Sequence, residues 1–476
     1  MVANDKEKTL AKQVHQALRA WHSQTSTPEN LLSHLQIVQV RQAKLNPNNN
    51  PTLFRLATNE ILLNAIDSLT VQNETAAEIL KLRFPADKSL VMVGHQLHVS
   101  EHTVSRKQRE AIKMLADIIA QQEETFRQEQ IQEKEALLPP PSYSQLFGFD
   151  TAVTHLTTQL SQPQKPYVVA IVGMGGIGKT ALADAVTRHI IRRFCFQEVI
   201  WLRATPHTMS GQAASSEQLY EDVIADLARY LFPPTEINPN PQQRLVQVRQ
   251  RLKSRPCLVI VDNIESAANT ALLINHFKDL AQPSKFLLTT RIRSTTLAAV
   301  STQTVNELAF SDAADLMCHH ALEIENEAVA NASEVEYKQI YDVTGGNPLA
   351  LKLVVSLLDT LTLHQVLDGM KQGEGGDIEQ MYKRIYWQAW QLLSDNGRQL
   401  LMSLPLVSGT GGALDYLQTL SGLTQAQILP AIQELRGRSL LEVRGDLQEK
   451  RYGIHRLTET FLHTEIIHWP PEDGGD

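Results

Sequence analysis

The stretch YVVAIVGMGGIGKTALADA, residues 167–185, decides how the rest of the chain is read. Its apolar run Val168-Val169-Ala170-Ile171-Val172 predicts a buried strand, and good helix formers begin at Lys179. Between them, Gly173, Gly175, Gly176 and Gly178 allow a loop whose backbone amides turn inward. Such a loop, at the positive end of a helix, is a cradle for phosphate oxygens. The cradle spans Gly173, Met174, Gly175, Gly176, Ile177, Gly178, Lys179, Thr180 and Ala181. Lys179 would place a cation on the β and γ phosphates, and the Thr180 hydroxyl would hold Mg²⁺.

Composition limits what such a loop can serve. The chain has 476 residues, too many for one core, so three or four domains are expected. An apolar content of 42% is that of a globular protein. The net charge of −8 gives no general attraction to nucleic acid, so any such contact needs a local basic patch. Cys195, Cys257 and Cys318 lie far apart without metal-ligand spacing and read as thiols in a reducing compartment. MVANDKEKTL has no apolar core behind its charges, and no run of apolar residues is long enough to span a bilayer. A cytoplasmic protein that makes no membrane contact is expected.

Before the cradle the chain reads as helical. Leu10, Val14, Leu18 and Trp21 recur at helical spacing, and so do Leu31, Leu32, Leu35 and Val38. Asn46 to Pro51 must break the helix, and a second apolar stripe runs from Leu53 to Leu69. Between Glu78 and Ile119 the reading is more specific. Gly94 stands where two helices approach closely, His98-Val99-Ser100 forms a short turn, Ser100 caps the next helix and Val104 packs back into the core. This pattern resembles the helix-turn-helix of sigma-factor region 4, with His98 where that family usually carries glycine. Arg106, Lys107, Arg109 and Lys113 would decorate the second helix. Seven basic residues against three acidic ones between Lys81 and Lys113 make a local footprint for DNA. The same charges also suit the solvated face of an adaptor that binds protein, and the sequence does not choose between them. Residues 121–142 are polar and charge-rich up to Pro139-Pro140-Pro141, as in a linker or a solvated strut.

After the cradle, apolar strands are predicted at Phe196 to Leu202, Cys257 to Asn263 and Phe286 to Arg291. Val305 to Ala314 reads as a last strand passing into a helix capped by Ser311. With Gly148-Phe149-Asp150 ahead of the cradle and Gly345-Gly346-Asn347-Pro348 behind it, the order of landmarks resembles the NB-ARC class of STAND nucleotide switches. The resemblance covers about Leu146 to His468 and implies ATP or ADP with Mg²⁺ as ligands. Asp262, at a strand tip, is the candidate Mg²⁺ ligand. Asn263 follows it where many members have an acid. An amide cannot take a proton from water, so hydrolysis is expected to be slow unless Glu265 serves as base. The resemblance also implies that Arg291 senses the γ phosphate, that Pro348 packs on adenine and that His455 of Ile454-His455-Arg456 reaches the β phosphate of ADP. Taken one at a time, these three residues are also what surface charge and helix punctuation provide.

The expected fold is an α/β P-loop NTPase core on a parallel sheet, with an all-α N-terminal helix-turn-helix domain, a helical ARC-type bundle and a C-terminal winged helix. The corresponding ranges are 1–120 (helix-turn-helix about 78–119), 121–142 as linker, 143–310, 311–372 and 380–470. Glycines at 373–377 read as a joint, and no repeat period is seen. The expected function is a nucleotide-controlled switch that self-associates with ATP and closes with ADP. Its alternatives are a nucleotide-gated DNA-binding regulator and a turnover P-loop ATPase or kinase.

Overall fold

Apolar stripes at helical spacing fold the first part of the chain into helices, and apolar runs fold the middle into a parallel sheet. The computed structural model describes residues 2–22, 32–45, 51–204, 216–264, 267–291, 300–371, 378–407, 411–445 and 450–467. The chain divides into two units, Met1–Lys134 and Glu135–Asp476.

The first unit consists of α1 (Val2–Arg19), α2 (Gln36–Leu45), α3 (Pro51–Gln72), α4 (Glu74–Arg83), α5 (Leu90–Gln96) and most of α6 (Glu101–Ala136). Leu18, Leu32, Val38, Leu62, Ile66, Leu80 and Leu115 share one core. Helix α6 runs unbroken through residues 121–136 of the polar stretch. Its Glu123 accepts hydrogen bonds from the backbone amides of Gln36, at 2.9 Å, and Ile37, at 3.1 Å. That carboxylate therefore satisfies orphan donors at the positive end of α2. Ser89 caps α5 and Ser100 caps α6, accepting from Met92 N at 3.2 Å and Thr103 N at 3.3 Å. Val104, in the first turn of α6, packs with Ile79 and Val93. A Cβ on Gly94 would lie 2.8 Å from the Val99 carbonyl oxygen, so no side chain fits there. His98 takes φ +55°, the left-handed conformation that glycine adopts more easily. Arg106, Arg109 and Lys113 are exposed and Lys107 is partly so. Lys81 pairs with Asp67, and Arg83 donates to Gln108 and to the Lys88 carbonyl, so these two bases also hold the unit together.

In the second unit, β1 (Val168–Val172), β2 (Glu198–Arg203), β3 (Cys257–Ile264), β4 (Lys285–Thr290) and β5 (Ser301–Thr304) form a parallel sheet in the order β2-β3-β4-β1-β5. Around it in sequence lie α7 (Asp150–Ser161), α8 (Lys179–Arg192), α9 (Ser216–Leu231), α10 (Pro241–Ser254) and α11 (Ala267–Ala281). Every residue of β1 and β4 is buried, as expected for a parallel sheet covered on both faces. Phe277 of α11 stacks on Phe286 of β4 with ring centroids 4.6 Å apart. The last strand lies earlier than the sequence suggests. It is the polar edge segment Ser301–Thr304, whose polar, partly exposed side chains give no apolar signal. Ser311 is also not the cap of the next helix, because that helix starts at Phe310 with Ala309 as its cap residue.

The chain continues with α12 (Phe310–Glu323), α13 (Glu327–Ala330), α14 (Glu334–Thr344), α15 (Pro348–Leu357) and α16 (Leu363–Lys371). Next come α17 (Ile378–Gln391), α18 (Asp395–Ser403), α19 (Leu414–Ser421), α20 (Gln425–Gly437), an antiparallel hairpin of β6 (Glu442–Gly445) and β7 (Lys450–Gly453), and α21 (Arg456–Phe461). The expected joint at 373–377 lies outside the described residues. Among the described residues no helix is long and apolar enough to cross a membrane.

Removing the Phe277 ring would leave a cavity against Phe286 in a site with no exposure to solvent. Phe277→Ala is expected to destabilise the second unit by about 3–5 kcal/mol. Urea unfolding followed by far-UV circular dichroism measures this, and a loss below about 1 kcal/mol would contradict the assigned packing.

Candidate functional site

Glycine geometry builds the site. Between β1 and α8, Gly176 and Gly178 have φ of +72° and +96°. Neither position accepts a side chain. A Cβ on Gly178 would lie 3.0 Å from the Phe149 ring, and one on Gly173 would lie 2.8 Å from the Val305 carbonyl oxygen. Lys179, the first residue of α8, donates from Nζ to the Met174 carbonyl at 2.7 Å, which folds the lysine back across its own loop. Ile177 is buried beneath the loop.

The tip of β3 supplies the acid. Asp262 is 2% exposed. Its Oδ1 accepts from the Thr180 hydroxyl at 2.9 Å and the Thr289 hydroxyl at 2.6 Å. The strand register shifts between Val261 and Ile264, and Asn263 there has φ +71°. A bulge at a strand end re-aims a side chain, and asparagine tolerates the left-handed conformation it requires. The Asn263 amide donates to the Thr289 hydroxyl at 2.8 Å, which fixes the bulge against β4. Among the described residues, no cationic side chain is hydrogen-bonded to Asp262 or ion-paired with it. A buried carboxylate bonded to neutral hydroxyls alone suits a divalent cation, because burial of a charge needs compensation. No cluster of three or more histidine, cysteine, aspartate or glutamate residues among the described residues could hold a metal by itself. Mg²⁺ fits Thr180 and Asp262 as it fits most nucleotide sites, with few protein ligands and the remainder from phosphates and water.

A cavity of about 780 Å³ opens over the loop, within the range of small-molecule sites. Gly175, Gly176, Gly178, Lys179, Thr180, Ala181, Asp262, Arg291, Pro348 and His455 all line it. The structure thus brings together residues separated by as much as 280 positions. Gly173, Met174 and Ile177 are not on its wall. The Arg291 guanidinium carbon is 3.6 Å from where a Cβ on Gly175 would be, and Leu457 approaches the same point at 3.4 Å. His455 caps α21 by accepting the Leu457 amide at Nδ1, at 3.1 Å, so Nε2 is the donor nitrogen of its ring. Glu265 lies outside the described residues. Arg106, Lys107, Arg109 and Lys113 belong to the first unit.

The sequence did not point to several residues on this wall. Tyr143 and Phe147 reach it from the segment before α7, Arg203 from the tip of β2 and Lys352 from α15. Tyr143 donates to Asp184 at 2.7 Å, and Arg188 holds the same carboxylate with its Nε at 2.9 Å while donating to the Pro139 carbonyl at 3.1 Å. This network fastens the segment to the helix that follows the loop. Burial lowers the Lys352 pKa from its ordinary value. Lys352 is one turn beyond Pro348, so helical spacing from a recognised residue was the one signal available.

Replacing Asp262 with asparagine keeps shape and removes charge. By calorimetric titration, Asp262→Asn is expected to weaken ATP binding in Mg²⁺ by at least about tenfold and to leave binding in EDTA within about twofold of the parent protein. Equal losses in both buffers would contradict the metal assignment.

The family model for the NB-ARC domain matches residues 149–327. An uncharacterized WD repeat-containing protein of Nostoc sp. is 24% identical over 58% of this chain and 23% of its own length. The disease resistance-like protein DSC1 of Arabidopsis thaliana is 23% identical over 68% of this chain and 26% of its own. The chain therefore spans about a quarter of the length of these curated relatives. The solved structure of a Signal Transduction ATPase with Numerous Domains protein with a tetratricopeptide repeat sensor, from Pyrococcus horikoshii, aligns with a TM-score of 0.42 at 18% identity over 68% of this chain and 43% of its own. The glycine loop, Lys179, Thr180 and Asp262 all lie within the matched region, so this chain carries an NB-ARC domain at residues 149–327.

Proposed function

We propose that the chain is an adenine-nucleotide switch, in which one bound ATP or ADP with Mg²⁺ sets how residues 380–467 pack on the sheet domain. The observation that carries this reading is the cavity over the loop. Its wall combines Lys179 and Thr180 of the loop with Pro348 of α15, Leu441 ahead of β6 and His455 ahead of α21. One ligand there touches all of these at once, and its terminal phosphate is the only part that differs between ATP and ADP. A ligand shifts a conformational balance only through its differential affinity for the two states. Lys179 would neutralise phosphate charge, Arg291 would meet the γ phosphate and His455 Nε2 would donate to the β phosphate of ADP. Mg²⁺ held by Thr180 and Asp262 would neutralise charge between the phosphates.

Asn263 takes the place of an acid beside Asp262, and its amide accepts no proton from water at neutral pH. Slow hydrolysis fits a state that must last long enough to be read. The helices and hairpin from α17 to α21 act here as a winged-helix lid, closed over ADP and released by ATP, and the released surface supports self-association. Sedimentation velocity tests this. A larger species is expected with ATP than with ADP, and Lys179→Ala should abolish the difference. Identical profiles with both nucleotides in the parent protein would overturn the switch.

A second reading has its own support in the α5–turn–α6 geometry, with Ser100 as cap and exposed Arg106, Arg109 and Lys113. In this reading residues 78–119 form a helix-turn-helix that binds duplex DNA. Reversing the charges of Arg106, Lys107 and Arg109 should then reduce the slope of log affinity against log salt by about three. An unchanged slope would leave an adaptor protein as the partner of that surface.

A further inference from the structure

A trans peptide points its carbonyl and the following amide in opposite directions, so fixing the carbonyl aims the amide. In the glycine loop, two successive carbonyls are fixed from outside. Asn347 donates from Nδ2 to the Gly175 carbonyl at 3.1 Å, and the Leu349 amide donates to the Gly176 carbonyl at 3.3 Å. The amides of Gly176 and Ile177 must then face away from α15. Asn347 is fully buried, and its Oδ1 accepts from the Leu349 amide at 3.1 Å as the cap of α15. That bond sets which end of the side-chain amide faces the loop. The same oxygen accepts the Tyr382 hydroxyl at 2.6 Å. Tyr382 belongs to α17 and is 3% exposed. Its oxygen is 2.5 Å from where a Cβ on Gly176 would be. Burial holds its pKa well above the ordinary value, so the hydroxyl remains a donor across the working pH range.

We infer that Tyr382 is a positioning residue for the phosphate cradle: through Asn347 it ties α17 to the Gly175 and Gly176 carbonyls, so that α17 and the grip on a nucleoside diphosphate move together. The inference rests on the nucleotide reading above and adds the residue that couples the C-terminal helices to the loop. Tyr382 does not itself line the cavity; it lies behind the wall, against Gly176 and Asn347. When α17 is docked, the loop amides are pre-set to receive phosphate. When α17 withdraws, Asn347 loses a buried partner and the two loop carbonyls lose their anchor, which favours release.

Tyr386 gives an internal control. It lies one turn further along α17, is fully buried, and hydrogen-bonds to Thr458 at 3.2 Å instead of to Asn347. Tyr382→Phe and Tyr386→Phe each remove one buried hydroxyl from the same helix. Dissociation of a fluorescent ADP analogue would be followed by stopped flow in the parent protein and both variants, with thermal unfolding measured alongside. Loss of one buried hydrogen bond corresponds to roughly five- to tenfold in an equilibrium. Tyr382→Phe is expected to release ADP about five- to tenfold faster, and Tyr386→Phe to release it at the parent rate with a similar change in melting temperature. Equal rates for the two variants, or a parent rate for Tyr382→Phe, would overturn the coupling while leaving nucleotide binding in place. A parent protein that fails to bind the analogue would overturn the nucleotide reading itself, and the inference with it.

Discussion

At Gly173, Gly176 and Gly178 the loop between β1 and α8 has no room for a side chain, and that constraint organises the second unit. Phe149 closes on Gly178, the turn at Asn347 and Leu349 closes on Gly176, and Leu457 approaches Gly175. These residues precede the sheet, follow it and lie in the first turn of α21. A loop of glycines is therefore more than a phosphate cradle here. It is the surface on which three separate stretches of chain converge, and a larger residue at Gly176 or Gly178 would force them apart while also straining a left-handed backbone.

Convergence on one loop explains why the acid and the hydroxyls beside it are so tightly arranged. Asp262 reaches Thr180 although β4 lies between β3 and β1 in the sheet. The bulge at Asn263 makes this reach possible, and Thr289 of β4 supports it from the intervening strand. The sheet thus places a carboxylate, two hydroxyls and a lysine at the carboxyl ends of its central strands, where ligands of open parallel sheets bind. Farther out, the Tyr143, Asp184 and Arg188 network fastens the preceding segment to α8 at its second and third turns.

Much of this was legible because it is written in short, local patterns. The strand-loop-helix from Val168 to Ala185 and the apolar runs of β3 and β4 could be read from neighbouring residues alone. Other features lacked a local signal. The edge strand Ser301–Thr304 is polar, and α19 is only eight residues long. Asn347 caps α15, and its bond to the Gly175 carbonyl joins residues 172 positions apart. Nothing in the neighbouring sequence marks the bond between Tyr382 and Asn347. Spacing along a chain cannot show that a hydroxyl and a loop glycine meet. Arg291, Pro348 and His455 stood out by their order along the chain, and the fold places all three on one cavity wall.

In this account, an occupied cavity holds the C-terminal helices and hairpin in place. Hydrogen exchange across residues 441–462, compared with and without saturating ADP, tests that claim most directly. The account expects slower exchange of backbone amides in this segment when ADP is bound, in step with protection of the loop at 173–180. Protection confined to the loop, with residues 441–462 exchanging at the same rate in both conditions, would contradict it.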